Sequence, residues 1–174
     1  MKIKLNNVRL SFPSLFRKAQ FNGEETKFEA TLLISKDEQA DLITQIKNAI
    51  ADKLKVDLKG AKLAADKLCL KDGDEIDYDG YAGTYSIKAS NKTRPMCINK
   101  DKSPITEDDN VIYGGCYVNA IVELWAQNNA YGKRINANLL AVQFAKDGDP
   151  FGDGGVTASL SDFDEVFDDS DPFA

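Results

Sequence analysis

Apolar and polar residues alternate at both ends of the chain, and a helical period takes over between them. In residues 2–12 the apolar positions are Ile3, Leu5, Val8 and Leu10, so the alternation slips by one around Asn6-Asn7. That slip predicts a strand with a bulge. Over 26–34, Phe28, Ala30, Leu32 and Ile34 share one face and Lys27, Glu29 and Thr31 the other, which predicts a second strand. From Asp37 to Lys55 the period changes: Leu42, Ile43, Ile46, Ala49, Ile50 and Leu54 form one stripe, with acids early and lysines late. This is the clearest helix, with Ser35 as its expected cap. A second short helix is expected around Ala61 to Leu68. Strands return at Tyr81–Ala89, Tyr113–Trp125 and Ile135–Phe144, separated by breaker-rich loops at Ser90–Asn110 and Gln127–Arg134.

About five strands, one substantial helix and long loops fit a mainly β (α+β) fold. The expected architecture is an OB-fold-like, five-stranded, partly open barrel. A flat antiparallel sheet backed by a helix fits the same pattern, and periodicity alone does not separate the two.

Charge divides the chain into two unlike parts. Of the 174 residues, 1–146 hold all 22 Lys and Arg against 19 acids, whereas 147–174 hold nine acids and no base. The expected organisation is therefore a mildly basic folded domain, 1–146, followed by a flexible, disordered acidic tail, 147–174, with Asp147 to Gly155 as a hinge. The body is long enough for one domain with a proper core. No run approaches the roughly 18–20 apolar residues of a membrane span, and no signal-peptide core follows the start. Three widely spaced cysteines, Cys69, Cys97 and Cys116, read as reduced cytosolic thiols. The absence of histidine removes Ser-His-Asp and Cys-His machineries and the usual zinc sites, so no catalysis is expected.

The strand Tyr113–Trp125 carries the most chemistry. Its even positions Val118, Ala120, Val122 and Leu124 are apolar, which puts Tyr117, Asn119, Ile121, Glu123 and Trp125 on the opposite face. The single tryptophan on the more polar face of a barrel strand suits stacking on unpaired bases. It would equally serve as core if the sheet were covered on both sides. Tyr117, Tyr81, Tyr85 and Tyr131 are further stacking candidates, interleaved with Lys88, Lys92, Arg94, Lys133 and Arg134 around the same strands. Aromatic platforms with phosphate-binding cations are what a single-strand groove requires. Residue by residue, each is also an ordinary packing tyrosine or surface cation. The acids of Asp72 to Asp79 look calcium-like, but Ser86 falls where a bidentate Glu belongs. Gly152-Asp153-Gly154-Gly155 lacks the Gly-Lys-Ser/Thr of a phosphate loop. No cofactor or metal is expected.

Ordered blocks then carry a resemblance. Tyr113-Gly114-Gly115-Cys116-Tyr117-Val118 and the run Asn129 to Gln143 resemble a phage family once filed as a domain of unknown function. Asp72-Gly73-Asp74, Tyr81-Ala82-Gly83 and Arg94-Pro95 also follow its pattern. That family is associated with single-stranded DNA binding and an OB-fold, so the resemblance implies both. The tip Asp168-Asp169-Ser170-Asp171-Pro172-Phe173 is similar to the acidic ending of bacterial single-stranded DNA-binding proteins, although here Ala174 follows the phenylalanine. It implies that Asp168, Asp169, Asp171, Pro172 and Phe173 recruit replication or recombination proteins and mask the DNA groove. The sequence thus reads as a sequence-independent single-stranded DNA-binding phage protein in the host cytoplasm, a homodimer being possible. The alternatives are a protein-docking adaptor with little DNA affinity, and a metal-dependent nuclease built on the Asp72–Asp79 acids.

Overall fold

The structure is a computed structural model and describes residues 2–151. Its elements are β1 (Lys2–Ser14), β2 (Gln20–Phe21), β3 (Glu24–Glu25), β4 (Phe28–Ser35), α1 (Ala40–Asp57), β5 (Leu70–Asp72), β6 (Thr84–Asn91), β7 (Met96–Ile98), β8 (Tyr117–Asn129) and β9 (Gly132–Lys146). Strands β1, β4, β6, β9 and β8 pair in that order, and β8 returns to β1. This circle is the expected five-stranded barrel. Its closing seam is short: β6 and β9 run parallel and meet at Ser90 opposite Asn138. Short β5 and β7 extend the sheet from β6 and β9.

Inward positions alternate with outward ones, as barrel strands require. Leu5, Val8, Leu10, Leu32, Ile34, Ile87, Val118, Val122, Leu139 and Val142 are fully buried. The helix adds Ile43, Ile46, Ala49 and Ile50 to this core and packs against β4, β8 and β9.

β1 serves two neighbours, pairing through Lys2–Arg9 with β8 and through Arg9–Ser14 with β4. It needs two bulges to bend that far. One lies between Leu5 and Val8, where the alternation slips, with Asn7 at φ 55°. The second, between Ser11 and Ser14, is not legible in the pattern and puts Phe12 at φ 47°.

Several boundaries differ from expectation. The helix starts at Ala40 because Ser35 caps a preceding turn: its Oγ accepts the Glu38 N–H at 3.2 Å, while the Gln39 side chain donates to the Asn6 carbonyl at 2.7 Å. The predicted second helix is a single 3-10 turn at Ala65–Lys67. Ala61, Leu63 and Leu68 reach the core from largely extended chain instead. Residues 81–83 and 113–116 are turns rather than strand, and the loop 90–110 contains β7. The loop expected at Gln127–Arg134 is mostly strand, because β8 and β9 continue to a two-residue turn at Ala130-Tyr131. Both faces of that arm carry polar residues, so no alternation marks it.

The expected hinge also begins differently. Asp147–Phe151 lies against the barrel, with Phe151 only 7 % exposed among Leu33, Tyr81 and Ile76. Gly80 and Gly115 make room: a Cβ would come within 2.5 Å of the Phe151 ring at Gly80, and closer still to the Asp149 carbonyl at Gly115. The rest of the predicted tail, including Asp168, Asp169, Asp171, Pro172 and Phe173, lies outside the described residues.

Candidate nucleic-acid interface

The outward faces of β4, β5 and β6 form the floor of a trough. Register sets Thr31 beside Lys88 and Lys71 beside Ser86. A cleft of about 330 Å³ bounded by Phe12, Ile76, Tyr78 and Tyr81 shares Cys69, Lys71 and Lys88 with one of about 250 Å³ bounded by Trp125, Gln127 and Arg134. The two therefore adjoin across the barrel, with Lys71 and Lys88 between them. A third hollow of about 500 Å³ adjoins through Phe12 and Glu29 and is walled by Tyr113, Pro150 and Phe151.

Charge along the two shared clefts is predominantly positive. Lys27, Lys67, Lys71, Lys88 and Arg134 line them, against the acids Glu29 and Asp66. Lys88 Nζ lies 3.5 Å from Glu29, and Lys67 Nζ 3.9 Å from Asp66, both solvent-screened pairs of small energy. Arg134 Nη1 donates to the Asp66 carbonyl at 3.4 Å. Burial pushes the Cys69 thiol up to about 11, so this thiol is uncharged and unreactive near neutral pH.

The wall at the Tyr78 end is held by an ion cluster. Lys36 Nζ donates to Asp72 Oδ1 at 2.7 Å and to Asp74 Oδ2 at 2.6 Å, and Asp74 Oδ1 accepts the Gly83 N–H at 2.7 Å. The Lys36 ammonium draws both carboxyls below the usual range, and they raise the lysine in return. Asp72 and Asp74 thus close the loop 73–83 on itself. Among the described residues, no group of three or more His, Cys, Asp and Glu stands ready to hold a metal.

The residues singled out in the sequence fall in different places. Trp125, Lys88 and Arg134 meet in the trough. The Trp125 ring is half-buried, while Val118, Ala120, Val122 and Leu124 are at most 1 % exposed, as the alternation predicts. Tyr131, 89 % exposed, and Lys133 stand on the arm beyond Trp125. Tyr81 is 3 % exposed, in the small core with Phe151, and its hydroxyl is 2.9 Å from Ser11 Oγ. Tyr85 packs on the main core, where its hydroxyl accepts from Lys47 Nζ at 2.9 Å. Tyr117 lies eight residues back along β8, its ring 4.7 Å from Lys146 Nζ and beside Arg9. Lys92 is exposed just past β6; Arg94 Nη2 donates to the Phe16 carbonyl at 3.1 Å, away from the clefts.

Sequence reasoning did not single out Phe12, Tyr78, Lys27, Lys67 or Lys71. Only tertiary pairing brings them together, though the isolated Phe12 at a strand end was a usable signal.

The sequence profile described as Enterobacter phage Enc34, ssDNA-binding protein matches residues 1–173. Protein p50 of Acyrthosiphon pisum secondary endosymbiont phage 1 is 45% identical over 178 residues, covering 95% of this chain and 94% of that one. Among solved structures, the single-stranded DNA-binding protein from bacteriophage Enc34 is 38% identical with a TM-score of 0.78, covering 93% of this chain and 90% of that one. The same phage protein in complex with ssDNA is 38% identical with a TM-score of 0.77, covering 87% and 89%. The family is one of DNA-binding proteins and not of enzymes. On whole-length sequence and shared barrel alike, the chain belongs to the Enc34 phage ssDNA-binding protein family.

Proposed function

We propose that the trough across β4 and β6 holds single-stranded DNA without regard to sequence. The observation that carries this is the adjacency of the two clefts across Lys71 and Lys88: a tryptophan, a lysine saddle and further aromatics follow one another over the same face. This is the face on which OB-folds take oligonucleotides. Stacking tolerates any base, and cations meet the backbone, so nothing in the arrangement reads sequence. Trp125 stacks; Lys27, Lys67, Lys71, Lys88 and Arg134 face phosphates; Tyr131 and Lys133 extend the contact along the arm. The similar Enc34 protein, described in complex with ssDNA, supports this reading. Tyr81 and Tyr85 serve as packing beneath the site.

The acidic tail acts from beside the trough. Its first residues are strapped by Arg9, whose Nη2 donates to the Asp149 carbonyl at 2.6 Å and whose guanidinium covers the Phe151 ring at 4.1 Å. The strap forms one wall of the hollow next to Phe12, so Phe151, after which the acids follow in sequence, lies at the trough's mouth. There they compete with weak ligands such as duplex, which offers no unstacked bases in exchange. The tip with Phe173 is left to recruit replication and recombination proteins of the phage in the host cytoplasm.

Titration of Trp125 fluorescence with a thymidine oligonucleotide tests the reading on the full-length chain and on one ending at Phe151. Quenching that tightens without the tail is expected. Binding that leaves the tryptophan signal untouched, and survives Trp125→Ala, would place the strand elsewhere; no binding in either chain would favour the adaptor reading.

A further inference from the structure

We infer that the trough has a second base-stacking station, the Phe12–Tyr78 pair, at the end opposite Trp125. This rests on the reading of the trough as a strand-binding site and names where else in it bases are held. Four independent features converge on the pair.

The first is backbone conformation. Phe12 sits at φ 47°, a region that sterics close to bulky residues and that glycine or asparagine normally fills. Regular alternation after Leu10 and Ser11 would send residue 12 into the barrel. The bulge between Ser11 and Ser14 turns it outward instead, leaving a large apolar ring 38 % exposed. Burial would favour stability; strain and exposure together oppose it, which is the pattern of a residue kept for contact.

The second is the partner ring. Tyr78 is 54 % exposed and meets Phe12 edge-to-face, with centroids 5.1 Å apart. It meets Tyr81 in the same manner at 5.3 Å. Tyr81 is buried, with its hydroxyl against Ser11 on the same strand as Phe12. Two exposed rings are therefore braced on a third that is fixed.

The third is the loop that carries Tyr78. Lys36, Asp72 and Asp74 tie it to β4 and β5, and Asp74 closes it through the Gly83 N–H. A ring on so constrained a loop is pre-organised and loses little freedom when a base stacks on it.

The fourth is spacing. From Phe12 on β1 to Trp125 on β8 the path over the trough crosses β4, β6 and β9, four strand steps of about 4.8 Å or about 20 Å in all. One nucleotide cannot touch both ends. Lys71 and Lys88 lie between them, where the linking phosphates would run.

Phe12→Gly and Tyr78→Leu in the full-length chain test this with thymidine oligonucleotides of about four to about sixteen nucleotides, the span of OB-fold sites. Glycine relieves the strained φ, so Phe12→Gly should melt no lower than the parent. Both variants should nonetheless lose about 5- to 150-fold affinity for long oligonucleotides, the worth of one stacked base. Short ones that quench Trp125 should bind within about twofold of parent. Equal loss at every length would mean general distortion and overturn the proposal, as would parental affinity for long oligonucleotides. A parent whose Trp125 does not respond to any oligonucleotide would instead remove the strand-binding reading beneath it.

Discussion

Salt dependence offers the sharpest check on the trough, because its cations can be counted. Five line the two shared clefts: Lys27, Lys67, Lys71, Lys88 and Arg134. For a single strand, log K falls against log salt with a slope of about −0.7 per phosphate neutralised, so five contacts give about −3.5. Between 50 and 200 mM salt that is a loss of about two orders of magnitude in affinity. Lys71 and Lys88 occupy both clefts, so Lys71→Gln with Lys88→Gln should bring the slope to about −2 and the loss to roughly twentyfold. The Lys88 change also releases the Glu29 carboxylate now 3.5 Å away, so low-salt affinity should drop further than the slope alone requires. The assay is the Trp125 titration repeated at a series of salt concentrations, with Lys55→Gln on the exposed end of α1 as control. A slope that stays at the parental value in the double variant would refute the assignment of these lysines to phosphates.

Other consequences follow from the strap, the ion cluster and the buried thiol. A chain ending at Lys146 loses Phe151 from its pocket and should be less stable than one ending at Phe151 by about 3 kcal/mol, or roughly 6–12 °C in melting temperature; equal melting would mean the strap contributes nothing. Asp72 and Asp74 have folded-state pKa values depressed below the unfolded value of about 3.9, so their stabilisation is whole above that pH and lost as pH falls through the folded values. Lys36, raised, contributes fully below about 10.4, and its contribution is lost as pH rises through the folded value. Melting of Lys36→Met should therefore lag the parent evenly from about pH 5 to 9, and the gap should close below about pH 4; a gap indifferent to acid would disprove the coupling. With its thiol near 11, Cys69 should be about one part in a thousand thiolate at pH 8, and alkylation far slower than that of a free cysteine, followed by mass spectrometry, is the expected result.

Much of the fold is legible in the sequence because a barrel strand has one dry and one wet face. Alternation in Lys2–Leu10, in Phe28–Ile34 and in Val118–Trp125 therefore marks the strands, the slip at Asn6-Asn7 marks the bulge, and Trp125 falls on the face opposite the apolar one. The pattern stops informing where both faces are wet, as along Gln127–Arg134, or where a turn depends on distant glycines, as at Tyr113–Cys116. Charge segregation is likewise a property of the chain alone.

Tertiary structure decides which aromatic is a surface and which is packing. Tyr81 and Tyr131 look equivalent in sequence, yet one is buried against Phe151 and the other stands on a hairpin tip. Phe12, Lys71 and Lys88 come from three strands and Tyr78 from a loop, and the composition of the segments between them says nothing of their path. Register across β4, β5 and β6 lines up the lysines, and a bulge turns Phe12 outward. Side-chain periodicity is local, set by the geometry of one strand; the trough is a product of pairing between strands, which no local pattern encodes.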